Sequence, residues 1–211
     1  KSLPGQVRHY VADMADAASV TSFLDAVAAD LGDTSILVNN VGNSPSRNFL
    51  HMSDEDWIGL FELNLMSAVR CTKRLLPAMR KQKWGRVIMV STGGAKYPNP
   101  ALIDYSASKA ALVATASALA KKYGADGVLV NSVLPGLIHT PMWERTAAEV
   151  AAATKTEPDA VIAQRGNVVP VRRFGTADEV AAVILFMASN YSSYLNGAAL
   201  SVDGGLGSAM Y

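Results

Sequence analysis

The stretch "GRVIMVSTGG", Gly85 to Gly94, decides the fold. From Val87 to Val90 no polar residue interrupts it. A strand with that pattern is apolar on both faces, as strands are in a parallel sheet covered by helices on each side. It ends in two hydroxyls and two glycines, residues that suit a tight turn or the close approach of a ligand to backbone.

Outward from this strand the same rhythm repeats. "SILVNN" (Ser35–Asn40), "GVLVNSV" (Gly127–Val133) and "AALSVDGG" (Ala198–Gly205) read as further strands, and "VRHYVADM" (Val7–Met14) as an earlier one. Helical periods lie between them. Val20, Phe23, Leu24, Val27 and Leu31 share one face, closed by Gly32. "SDED" (Ser53–Asp56) is a capping-box start for a helix reaching about Lys83, and "TADE" (Thr176–Glu179) starts another reaching about Ser189. A helix holding Tyr105 ends near Gly124. Strand–helix alternation of this kind predicts an α/β fold with a parallel sheet, and residues 1–211 show no internal repeat and no second core. Between Pro135 and Pro170 the rhythm breaks into an Ala-rich stretch carrying Trp143. It reads as a substrate lid over about 137–170 or as an ordinary surface excursion.

Composition narrows the function. The chain has 211 residues, 50% hydrophobic and 18% charged, with a net charge of +1. That is a globular composition without a basic block, so nucleic acid is not an expected partner. No apolar run is long enough for a membrane span, and the opening "KSLPGQVRHY" does not read as a signal peptide. The single cysteine, Cys71, excludes an internal disulfide framework and suits a reducing compartment, so a cytoplasmic location is expected. His9, His51 and His139 lack metal-site spacing.

The chemistry concentrates in "DYSASKAAL", Asp104 to Leu112. Tyr105 and Lys109 are four apart, hence neighbours on a helix face, with only small residues between them. An ammonium beside a phenol can tune it as a general acid or base, although the same pair on a solvated helix is commonplace. Its company sharpens the reading. "NNVG" (Asn39–Gly42), "STGG" (Ser91–Gly94) and "PG" (Pro135–Gly136) each end a strand, where open α/β sheets bind ligands. Asn64 is a polar residue between Leu63 and Leu65 inside a helix, a position that needs a reason.

Together these residues resemble the short-chain dehydrogenase/reductase family over essentially the whole chain. The Tyr-x-x-x-Lys motif is Tyr105 and Lys109. Asn39, Asn40, Val41 and Gly42 stand for its Asn-Asn-Ala-Gly motif, with Val for Ala. The resemblance implies a Rossmann-like doubly wound sheet and hydride transfer between NAD or NADP and an alcohol or carbonyl. Tyr105 is then the proton donor or acceptor. Lys109 lowers the tyrosine pKa and holds the nicotinamide ribose, and Asn64 holds a water in a proton relay. A strand-end hydroxyl orients the carbonyl, and counting back from Tyr105 gives Thr92, with Ser91 one residue out of register. The implied cofactor contacts are Asp13, Met14, Asn40, Val41, Gly42, Tyr105, Lys109, Pro135, Gly136, Ile138 and Thr140. The family also implies a homo-oligomer, dimer or tetramer, built through the long helix before Lys83 and the Ala110–Ala120 helix. A catalytically silent dinucleotide-binding sensor or scaffold is the alternative.

The sequence departs from the family at its front. The family opens with a strand, a glycine-rich turn and a helix cradling the pyrophosphate, and no such turn occurs here. The reading is therefore a sheet without its first two strands, from a polypeptide expected to be longer. That expectation leaves a gap beside the Val7–Met14 strand and no residue to choose between NAD and NADP.

Overall fold

The computed structural model describes residues 7–207, so the first six residues of the N-terminal stretch read above lie outside the described residues. Its centre is a parallel sheet of four strands, β1 (Ile36–Asn39), β2 (Gly85–Val90), β3 (Val128–Pro135) and β4 (Ala199–Val202), in the order β1-β2-β3-β4. The pattern that predicts β2 explains the layering. Val87 and Met89 point into one apolar layer, Ile88 and Val90 into the other, and all four are at most 8% exposed.

The first layer holds α1 (Ala17–Leu31), α3 (Ser67–Gln82) and α4 (Ile103–Tyr123), which bring Val20, Leu24, Cys71, Leu75, Met79, Leu112 and Ala116 against the sheet. The second is filled by Val180 and Met187 of α7 (Ala177–Ala188). Both predicted capping boxes form. Ser53 and Asp56 open α2 (Asp54–Phe61), and Thr176 and Glu179 open α7. α2 does not run straight to Lys83. It passes through a π-helical turn, Glu62–Met66, before continuing as α3. A π-turn shifts the side-chain register and is common at functional sites, and this one carries Asn64.

The expected Val7–Met14 strand does not form. That segment has no strand partner, and Val7 and Val11 are exposed, Val11 completely. Alternating apolar residues make a strand only where a neighbour completes the hydrogen bonds. No gap interrupts the sheet. β1 is bonded on one side only, to β2, and its Ile36 and Val38 are 44% and 40% exposed.

The weakly periodic stretch after β3 is helical. α5 (Pro141–Thr154) and α6 (Pro158–Gly166) pack on each other through Ala147, Ala151 and Val161. The stretch is pinned at its base, where Ile138 bridges Gly175 and the His139 N–H donates to the Gly175 carbonyl at 2.8 Å.

Candidate active site

Parallel strands deliver their carboxyl ends to one edge. There the ends of β1, β2 and β3 surround the first turns of α4. Two cavities meet at this edge. One, about 490 Å³, is lined by Asn40, Gly42, Lys109, Pro135, Ile138 and Thr140 among others. The second, about 640 Å³, extends past Gly94 and Leu102 to α5. Thr92, Tyr105, Gly136, Met142 and Trp143 line both.

Tyr105 sits at the junction, and Thr92 lines the same two cavities. Burial pushes the Tyr105 pKa above the ordinary 10.0, and the neighbouring Thr92 hydroxyl pulls the other way. Lys109, one turn along α4 from Tyr105, is 3% exposed, and its ammonium donates to the Val90 carbonyl at 3.0 Å. Burial draws the Lys109 pKa down to about 8.

The two neighbouring hydroxyls have different partners. Ser91 Oγ donates to the Lys109 carbonyl at 2.9 Å, tying β2 to α4. Thr92 is extended, so its side chain points the other way, to Tyr105. Asn64 is 1% exposed and fastens the loop after β1. Its Oδ1 accepts from the Asn43 N–H at 2.8 Å, and its Nδ2 donates to the Asn43 carbonyl at 2.9 Å and to Ser108 Oγ at 3.1 Å. Gly42 has no room for a side chain. A Cβ there would stand 2.9 Å from Lys109 Nζ and 3.2 Å from Asn64 Oδ1.

Not every expected residue lines these cavities: Asp13, Met14, Val41 and Asn64 line neither. The Asp13 carboxylate accepts from the Ala15 N–H and the Asp13 N–H donates to Ser19 Oγ, both at the entry to α1, while Met14 packs into the first core layer. The position of Asp13 was inferred from a strand that does not form. Met142 and Trp143, whose sequence context also suits interior filling, do face the cavities, and Trp143 packs edge-on against Phe174 with ring centroids 5.1 Å apart.

One buried pair escaped the sequence reading. Asp104, 1% exposed, accepts from the Tyr105 N–H at 2.8 Å and from Arg47 at 3.1 Å, and Arg47 also reaches Asp56 at 3.3 Å. The pair joins residues 57 positions apart, so local spacing gives no sign of it. Among the described residues no group of His, Cys, Asp and Glu could hold a metal ion, and no helix is long and apolar enough to cross a membrane.

With this geometry in hand, residues 1–207 match the family model described as enoyl-(acyl carrier protein) reductase. The chain is 34% identical over 206 residues to a 3-oxoacyl-[acyl-carrier-protein] reductase of Thermotoga maritima, covering 98% of this chain and 79% of the relative. Among solved structures it superposes on L-sorbose reductase from Gluconobacter frateurii, complexed with NADPH and L-sorbose, with a TM-score of 0.91 and 31% identity over 94% of this chain and 76% of that one. A ligand-free aldohexose dehydrogenase of Thermoplasma acidophilum gives a TM-score of 0.88 and 26% identity, covering 100% of this chain and 83% of that one.

Proposed function

The chain belongs to the short-chain dehydrogenase/reductase family, an NAD(P)-dependent enzyme family, and from that premise we propose that it interconverts a ketone and a secondary alcohol with Tyr105 exchanging the proton. The observation that carries the proposal is that Tyr105 and Thr92 both lie at the junction of two cavities, one of them floored by a buried lysine.

The smaller cavity has the features a nicotinamide nucleotide needs. Gly42 and Gly136 expose backbone at strand ends, and Ile138 and Val180 offer an apolar wall. Lys109, with its ammonium between the Val90 carbonyl and Gly42, is a cation available to ribose hydroxyls. When bound, the nicotinamide supplies or accepts the hydride. The chain's own residues manage the oxygen. Tyr105, kept protonated at neutral pH by burial, donates its proton to the carbonyl oxygen as that oxygen gains charge. The Thr92 hydroxyl, which lines the same cavities, holds the same oxygen. Asn64 holds Asn43 at the cavity wall through both its backbone groups, and we read it as the residue that positions a relay water. We read α5 and α6 as the lid over the larger cavity, where substrate would sit, and residues 1–211 as belonging to a single domain.

The test begins with titration by NADH and by NADPH, followed through nicotinamide fluorescence. Turnover of a ketone panel then compares wild type with Tyr105→Phe. The variant is expected to bind the dinucleotide like wild type and to lose about 10³-fold in turnover, within the usual range for removing a general acid. Wild-type turnover by the variant would overturn the role of Tyr105. A chain that binds neither dinucleotide would overturn the activity.

A further inference from the structure

We propose that the larger cavity selects an uncharged carbonyl substrate with an apolar body, and discriminates against one carrying a carboxylate or phosphate inside the cavity. The inference rests on the dehydrogenase reading above and specifies its substrate.

The larger cavity, about 640 Å³, is of the size that holds a drug-sized molecule. Its reactive end is polar but neutral, with Thr92, Tyr105 and Ser106, and the rest of its lining mixes apolar Leu102, Trp143 and Leu206 with neutral polar groups such as Asn99 and Thr146. Its only charged lining residues are Glu149 and Asp203, and among the described residues that line it there is no lysine or arginine. An anion entering such a cavity would lose water without gaining a charged partner, and would do so beside negative charge.

The nearby cations are committed elsewhere. Lys109 lies on the wall of the other cavity and donates to the Val90 carbonyl. Arg47 is held by Asp56 and Asp104, and Lys96 donates to the Ala199 carbonyl at 3.1 Å. Arg145 is exposed on α5 and does not line the cavity. The two carboxylates differ. Asp203 accepts from the N–H groups of Gly205 and Gly207 at 3.0 and 3.1 Å, so its charge is partly answered by backbone dipoles. Glu149 is exposed on α5 and has no ion pair among the described residues. Its charge is therefore the one that most directly meets an incoming substrate, and the one a single substitution can reverse.

The experiment measures kcat/KM, at saturating reduced dinucleotide, for a panel of 2-keto compounds supplied both as ethyl ester and as free carboxylate, ethyl benzoylformate and benzoylformate among them. Every pair that reacts is expected to favour the ester by about tenfold or more. Glu149→Lys is expected to narrow the ratio about fivefold, as reversal of one nearby partly screened charge would. A carboxylate used as well as its ester, or a ratio that Glu149→Lys leaves where it was, would overturn the inference while leaving the dehydrogenase reading intact. Turnover of no member of the panel would overturn the dehydrogenase reading, and this inference with it.

Discussion

An ammonium held away from water disfavours the folded state unless its charge is used. Lys109 is 3% exposed, and burial brings its pKa from the ordinary 10.5 to about 8. The difference corresponds to a penalty of roughly 3 kcal/mol on the charged form. Between about pH 8 and 10.5 the folded chain binds fewer protons here than the unfolded one. This group's contribution to stability therefore rises with pH across that window, and its penalty is complete below pH 8. Lys109→Met is accordingly expected to lose at least about 100-fold in turnover. It should also gain about 2 kcal/mol of stability at pH 7, less than the full penalty because a hydrogen bond to the Val90 carbonyl is lost as well. Urea denaturation at pH 7 and pH 10.5 checks this, because the gain should vanish at the higher pH. A variant less stable than wild type at pH 7 would show that the charge is better solvated than its burial indicates. The helix spacing that brings Tyr105 and Lys109 together was readable in "DYSASKAAL". Their electrostatic relation was not, because it depends on where the ammonium's protons go, and they go to a carbonyl 19 residues away. The Asp104–Arg47 pair was hidden for the same reason.

Elements with a local cause were legible, and those with only a tertiary cause were not. The boxes at Ser53–Asp56 and Thr176–Glu179 begin helices because their reciprocal hydrogen bonds span three residues. The uninterrupted run Val87–Val90 became a strand apolar on both faces. Val7–Met14 breaks its apolar residues with Arg8, His9 and Asp13, no adjacent strand completes its hydrogen bonds, and it stays irregular. The π-turn at Glu62–Met66 has no signature beyond Asn64 itself, a buried amide whose partners lie 21 and 44 residues away. It is where the loop after β1 is fastened, and Gly42 is the test of that fastening. A methyl at Gly42 would have to displace Lys109 Nζ and Asn64 Oδ1 together. Gly42→Ala is expected to cost about 1–2 kcal/mol in stability, as overpacking does. It should also weaken dinucleotide affinity about tenfold, because the same loop walls the nucleotide cavity. Thermal melts and a fluorescence titration on one preparation check both. Unchanged affinity would mean that Lys109 and Asn64 adjust without disturbing the cavity.

Across the whole molecule the sheet and its two core layers fix the edge where the cavities lie, and α5, braced by α6, supplies one wall of the larger cavity. The sequence left that pair undecided between lid and surface excursion because its contacts are small. Ala147, Ala151 and Val161 bury little surface, and so little periodicity marks them. What joins the pair to the sheet is equally sparse. At its base Ile138 pairs with Gly175, and on its inner side Trp143 packs edge-on against Phe174, which is 8% exposed. A segment held by so few contacts should open more readily than the strands beneath it. Phe174→Ala removes the larger anchor. The expected cost is about 3 kcal/mol, typical of deleting a buried aromatic ring. Because Trp143 lines the cavity proposed for the substrate, KM for any accepted ketone should rise more than kcat falls. Hydrogen exchange followed by mass spectrometry locates the effect. Amides in Pro141–Thr154 and Pro158–Gly166 should exchange faster, while those of β2 and β3 keep their protection. Equal acceleration in the strands would mean that Phe174 holds the whole fold together, and the two helices would then open with the sheet and could not serve as a separate lid.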